Sequence, residues 1–270
     1  MLITWYGTAS VRVTIQSLTL LIDPFVPLPG ADYALSPQDF MPAPHVLITH
    51  GHLDHASSLP DLVKYGVGKL YATKTPCATL SRYGVADEIL TCISPGDELL
   101  FDASTGRSSD KATEIVSVSV KCGQHVRFDT KLVLSTLLCF RLLRYTTNLR
   151  YIFKLNKHYV ENTETLVYEI SFGSRRITIL GSPGLAATER YAQGSELLIM
   201  PYQGSSHLQR IALEIIGRLE PKAVMLNHFD DSFPPISRNI DTAGLEKVMA
   251  EVYPQTELII PERGKQYAFD

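Results

Sequence analysis

A chain of 270 residues with 45% hydrophobic side chains carries enough apolar surface for one sizeable core, so a single domain over residues 1–270 is expected. Its 25 Lys and Arg against 28 Asp and Glu leave a net charge of −3, which sets up no field that would draw a polyanion, and nucleic acid is not the expected partner. No apolar run approaches the ~20 residues a bilayer demands, and no basic stretch precedes the opening Met1-Leu2-Ile3-Thr4-Trp5, so a cytoplasmic protein without membrane attachment is expected.

Strand-type alternation fills residues 2–6, 11–15 and 18–22, interrupted by Gly7-Thr8 and Gln16-Ser17, and predicts an antiparallel start. Asp23-Pro24-Phe25 ends the third strand, and a loop with Pro27, Pro29, Pro37, Pro42 and Pro44 leads to Val46-Leu47-Ile48-Thr49, a short buried strand. Directly after it stands His50-Gly51-His52-Leu53-Asp54-His55, four potential metal ligands on one turn. Neighbouring side chains on such a turn point different ways, so His50 and His52 can grip one ion while Asp54 and His55 reach toward a second.

Farther on, Ser57-Ser58-Leu59-Pro60-Asp61 reads as a helix start, followed by a strand at 69–72, a helix at 75–83 and strands at 89–92 and 98–101. The second half predicts strands at 115–120, 131–137, 166–170, 177–180, 197–200, 223–226 and 258–260, with helices at 206–219 and 242–252. Such a pattern implies two sheets face to face, each covered outside by amphipathic helices that must bury their apolar stripe. Cys77, Cys92, Cys122 and Cys139 stand singly among apolar residues without a C-x-x-C pair, which predicts reduced, buried thiols.

One segment stands apart, a basic and aromatic insertion around residues 138–163. From Thr130 to Val160 there is no acidic residue, while Lys131, Arg141, Arg144, Arg150, Lys154 and Lys157 interleave with Phe140, Tyr145, Tyr151, Phe153 and Tyr159. Three readings stand open: a helical hairpin over the mouth of the site whose cations receive an anionic substrate, a solvated or dimer-forming face, and a nucleic-acid stripe. Of the remaining histidines, His45 faces away from the ions or supports them indirectly, His158 belongs to the basic segment, and His207 at a helix start either touches substrate or caps the helix.

The run from His50 to His55 resembles the H-x-H-x-D-H signature of the metallo-β-lactamase superfamily. That resemblance implies an α/β, four-layer αββα sandwich with metals bound at one edge between the sheets. It brings in His125, in the loop after strand 115–120, as the third histidine of a first site with His50 and His52. It also brings in His228, at the end of strand 223–226, to complete a second site with Asp54 and His55. Asp23 resembles the family's Asp-Pro position and is expected to brace the metal loop through hydrogen bonds, and Asp230 and Asp231 stand close enough to His228 to orient an imidazole.

The chain departs from the family where Gly181-Ser182-Pro183-Gly184 follows strand 177–180, because Ser182 occupies the place of an aspartate that bridges both ions. Three outcomes are open: Asp230 or Asp231 swings in, one tight ion suffices, or catalysis has been lost. The resemblance implies a divalent cofactor, zinc foremost with manganese or iron as alternatives, in one or two ions per chain. An ion with an open position acidifies water to a pKa of about 7, and Asp54, the candidate catalytic residue, would orient that water or take its proton. The expected activity is hydrolysis of a small, anionic ester, lactone or phosphodiester by a compact member resembling sugar-phosphate lactonases, with a small-molecule substrate and, in a homo-oligomer, a second copy of the chain as the partners in view. The alternative is a metal-binding sensor of the same fold with lost or reduced catalysis.

Overall fold

Val11, Val13 and Ile15 turn to one side of the chain and Arg12 and Thr14 to the other, and this alternation is repeated wherever a strand has one face in the core. The computed structural model describes residues 1–104, 115–126 and 141–269. The expected strand at 131–137, Cys139, and the first residues of the basic insertion lie outside that range.

In the first sheet, β1 (Leu2–Gly7), β2 (Ser10–Ile15) and β3 (Leu18–Ile22) form the antiparallel start. β3 then pairs in parallel with β4 (Ala43–Leu47), β4 with β5 (Val67–Ala72) and β5 with β6 (Leu90–Cys92). The opposite edge is closed by β14 (Gln266–Ala268) lying antiparallel on β1. In the second sheet, β7 (Glu98–Asp102), β8 (Ile115–Cys122), β9 (Leu166–Phe172) and β10 (Arg175–Leu180) alternate in direction. β11 (Leu197–Pro201), β12 (Ala223–Asn227) and β13 (Glu257–Ile259) continue in parallel from β10.

The sheets pack face to face over Val13, Leu20, Val118, Tyr168, Ile179 and Met225, all buried. Outside the first sheet lie α1 (Leu53–Ala56), α2 (Leu59–Leu62), α3 (Lys74–Arg82), α4 (Arg141–Arg144) and α5 (Thr146–Leu155). Leu53, Leu59, Leu80 and Ile152 from these helices meet Leu21, Val46 and Leu70 of the strands. α6 (Leu208–Leu219) and α7 (Ala243–Val252) cover the second sheet in the same way. The four-layer αββα sandwich is therefore the observed architecture. β11 shows the logic: Leu197 and Ile199 enter the core between the sheets while Leu198 and Met200 enter the core under the helices. A parallel strand covered on both faces must be apolar throughout.

β8 and β10 both run antiparallel to β9 and so share a direction, and β11 and β12 share it too. Their C-terminal ends thus open on one edge of the sandwich. The C-terminal end of β4 is tied to the same edge across the two sheets, where the Leu166 amide donates to Thr49 O at 2.8 Å and the Tyr168 hydroxyl to Ile48 O at 2.7 Å.

Two expectations need correction. Cys92 is exposed, because the short β6 leaves it at the edge of the first sheet; Cys77 is buried and Cys122 half-buried. The helix expected from Ser57 is only the four-residue α2, which runs into a 3-10 turn at Val63–Tyr65 that ends on Gly66 in the left-handed region. Among the described residues, no helix is long and apolar enough to cross a membrane.

Tyr168 is fully buried, and its hydroxyl holds the strand that precedes the histidine cluster. A Tyr168→Phe variant is expected to lose about 1–3 kcal/mol, the usual cost of a buried carbonyl left without its donor. A lowered urea midpoint with an unchanged slope would be the observed result.

Candidate metal centre

His50 leaves the end of β4 and His52 is the residue before α1, with extended backbone at φ −66° and ψ 157°. The chain then coils, so Asp54 and His55 project from a helical turn instead of the extended turn that the sequence suggests. The switch brings the backbone so close to the segment before β9 that a Cβ at Gly51 would collide with the Val160 carbonyl oxygen. His125 arrives from the loop after β8, half-buried.

These placements create two groups. His50, His52 and His125 each present a ring nitrogen, all within 4.8 Å of one another, and Asp54, His55 and His228 form a second set within the same limit. His50 Nε2 lies 3.2 Å from His52 Nδ1, and the His125 ring centroid stands 5.1 Å and 4.6 Å from those of His50 and His52. In the second group His228 Nε2 is 2.8 Å and His55 Nε2 3.7 Å from Asp54 Oδ2. The groups adjoin, with the His50 and His55 rings 3.9 Å apart.

The tautomers follow from a hydrogen-bond network behind the rings. Asp23, buried at the end of β3, accepts the Thr49 amide at 2.8 Å and the Thr49 hydroxyl at 2.5 Å. It also accepts the His55 Nδ1–H at 2.8 Å. Having spent its only proton on Asp23, the Thr49 hydroxyl can only accept from His50 Nδ1, 3.1 Å away. Both His50 and His55 therefore carry a proton on Nδ1 and turn Nε2 to the site, the nitrogen a metal would take. Asp23 thus braces the loop without joining either group, in the role expected of it.

His228 is positioned by main chain. It sits in the left-handed region at φ 55°, and its amide donates to Thr8 O at 2.7 Å. Thr8, itself at φ 48°, donates its amide to Asp230 Oδ1 at 2.9 Å. The Ser232 hydroxyl occupies Asp230 Oδ2 at 2.8 Å, and Ser237 donates to Asp231 at 2.8 Å. Both aspartates are committed, so neither swings in to replace the missing bridge; Asp230 orients His228 through Thr8. Such strained backbone at two linked residues is the kind that surrounding structure must impose.

Burial pushes the imidazoles of His50, His52 and His125 below their usual range, His52 to about 4; the neighbouring rings push His50 further the same way, while the Glu161 carboxylate opposes the shift at His125. They stand neutral at pH 7. Burial alone would lower His55 and raise Asp54, but the carboxylates of Asp23 and Asp54 outweigh it and raise His55. His55 and the hydrogen-bonded His228 in turn hold Asp54 well below the ordinary carboxylate range. Nitrogens and carboxylate oxygens bind a zinc-like ion at about 2.0–2.2 Å, so donors on one ion lie no more than about 4.4 Å apart. Both groups fit around an ion after shifts of a few tenths of an ångström. Neutral imidazoles facing one another beside a buried anion are what such a donor set looks like.

Both groups open into a cleft of about 1040 Å³. Ser182 lines it, and its hydroxyl accepts the Val126 amide at 3.1 Å, bracing the loop that carries His125. His207 is exposed and does not line the cleft, although Ser205, Ser206 and Leu208 do; it lies at the start of α6 with its side chain toward the outer surface. His45 packs on Phe101 and Tyr71 away from the site. Of the three readings of the basic segment, the cationic mouth has no support among the described residues: Arg144, Arg150, Lys154 and Lys157 are exposed and none lines the cleft, because α5 buries Asn148, Ile152 and Leu155 and turns these charges outward. Thr49, Tyr168 and Thr8 had no signal in the sequence, since each acts through a partner distant along the chain.

A sandwich with paired histidine and aspartate groups at the strand ends defines a class, and the chain belongs to it: residues 19–229 match the β-lactamase superfamily domain, a span containing all six residues. A metal-dependent hydrolase from Methylocella silvestris is 29% identical over 119 residues, 44% of this chain and 46% of that protein, so the alignment spans less than half of that relative. Igni18, a metallo hydrolase of Ignicoccus hospitalis, has the same fold at a TM-score of 0.63 and 15% identity, covering 100% of this chain and 99% of that one. An isothiocyanate hydrolase from Delia radicum gut bacteria follows at a TM-score of 0.61 and 14% identity, with coverage of 100% and 99%.

Replacing Asp23 with Asn removes a charge-assisted acceptor from Thr49 and His55 together. Metal affinity is expected to fall about 10–100-fold, as when supporting partners of a ligating histidine are lost. Competition titration against a chromogenic chelator reads it, and unchanged affinity would deny Asp23 this role.

Proposed function

We propose that this protein is a metal-dependent hydrolase acting on an ester, lactone or phosphodiester linkage. The observation that carries the reading is the convergence of His50, His52 and His125, with their imidazoles neutral, on one open cleft. Zinc is the ion that such a nitrogen-rich set favours, with manganese or iron accommodated by the same donors. When bound, the ion supplies acidified water and Lewis-acid polarisation of the scissile oxygen.

The chain's own residues do the rest. Asp54, held as a carboxylate beside His55 and His228, would accept a proton from the attacking water. His228 and His55 either hold a second ion with Asp54 or, where only one is bound, deliver protons to the leaving group. Asp23 fixes the rings, and the apolar walls of the cleft limit water around the reacting centre.

His52→Ala is expected to remove metal and activity together: elemental analysis should show at least one ion lost per chain, and hydrolysis of model lactones and phosphodiesters should fall by more than 100-fold. Hydrolysis that survives exhaustive chelation would refute the reading.

Ser182 favours a second reading, a metal-holding sensor of this fold with weakened catalysis, because a neutral hydroxyl bound to the Val126 amide neutralises neither ion. Ser182→Asp separates the two. A variant that gains both a second ion and rate supports a hydrolase limited by its second site, whereas gain of an ion without turnover on any tested substrate supports the sensor.

A further inference from the structure

The cleft is chemically two-sided. Leu149, Ile152 and Phe153 of α5 line it together with Phe233, Ile236 and Ile240 from the loop after β12, and the Phe233 ring comes within 6.1 Å of the His228 ring. The apolar surface therefore begins at the second group itself. It is also preformed: the buried Asn148 amide donates at 2.8 Å to both Pro29 O and Pro234 O, locking α5 to the loop that carries Phe233 and Ile236. Nothing has to close for the walls to exist.

Charge is sparse along this lining. Among the described residues Arg238 is the only lysine or arginine on it, and its exposed guanidinium has no hydrogen bond or ion pair with them. Besides Asp54 the described lining holds one acid, Asp241, which accepts the Ala243 amide at the first turn of α7. A single guanidinium suits one negative charge on the ligand, while a phosphate dianion would call for further donors.

We propose that the ligand of this cleft is an amphipathic monocarboxylate: an unbranched or aromatic apolar body of medium length between α5 and the 233–240 loop, with its carboxylate on Arg238. Joined to the hydrolase reading, on which this last step rests, the substrate is an ester or lactone of such an acid, with its scissile group at the histidines and its free carboxylate remote from them. Hydrolysis adds water across the acyl C–O bond, the hydroxyl going to the acyl carbon and the proton to the departing oxygen.

The test reads binding, so that it stands apart from turnover. Zinc-loaded full-length protein is titrated calorimetrically with butanoate, hexanoate and octanoate, and with octan-1-ol as the uncharged comparison. Affinity should rise about fourfold per added methylene, the transfer value of a buried CH₂. Octanoate should bind about tenfold more tightly than octan-1-ol. Arg238→Ala should erase that difference and leave octan-1-ol unchanged, while Phe153→Ser, a change at a side chain 66% exposed, should weaken both. The His52→Ala protein, poor in metal, should still bind octanoate. Affinity that ignores chain length, octanoate binding that ignores Arg238, or octanoate binding lost with the metal would each overturn the proposal; the last would place the carboxylate on the ion. A protein that binds octanoate as described yet hydrolyses nothing would defeat the hydrolase reading and leave this one intact.

Discussion

The arrangement at the strand ends depends on one buried carboxylate. Asp23 takes three donors from the next segment of chain, the amide and hydroxyl of Thr49 and the Nδ1–H of His55. A buried charge is tolerable only when it is so satisfied. Because the Thr49 hydroxyl has one proton, satisfying Asp23 also dictates which nitrogen of His50 faces forward. A single acid at the end of β3 thereby fixes two imidazoles that belong to different candidate ion sites, and the loop carrying them inherits the rigidity of two adjacent parallel strands.

What the sequence made legible follows the distance over which each interaction acts. The spacing of His50, His52, Asp54 and His55 is local chemistry, visible without coordinates, and so is the alternation that defines β2 or the unbroken apolar run of β11. His125 and His228 were legible only through family resemblance, since nothing near either residue says what it faces. The support of His228 was beyond reach, because Thr8 and Asp230 are separated by 222 residues. β14 was missed for the same reason: three residues become a strand only by lying on β1. The acid-free segment was legible as charge but not as orientation, and the burial of Asn148, Ile152 and Leu155 decides which side of α5 meets the cleft.

The same helix shows why composition alone misleads about ligands. A run rich in arginine and lysine suggests an anion receptor, yet charged side chains on a surface helix are best hydrated when they point away from the fold. What reaches the cleft is the apolar flank, and recognition of charge falls to Arg238, which no pattern in the sequence distinguishes from the other arginines. Fold places the candidate metal groups, while loops and a single inserted helix shape what can lie above them.

The left-handed conformation of His228 has a consequence for assembly of the molecule. Its restraint comes from the turn between the first two strands, so the geometry needed there exists only after the beginning of the chain has docked against a segment more than two hundred residues later. Contacts of such long range form late, since the closure entropy of the whole intervening chain must first be overcome. Occupation of that position by an ion would then mark a late stage of folding, a chemical signal that these two distant segments have been drawn together.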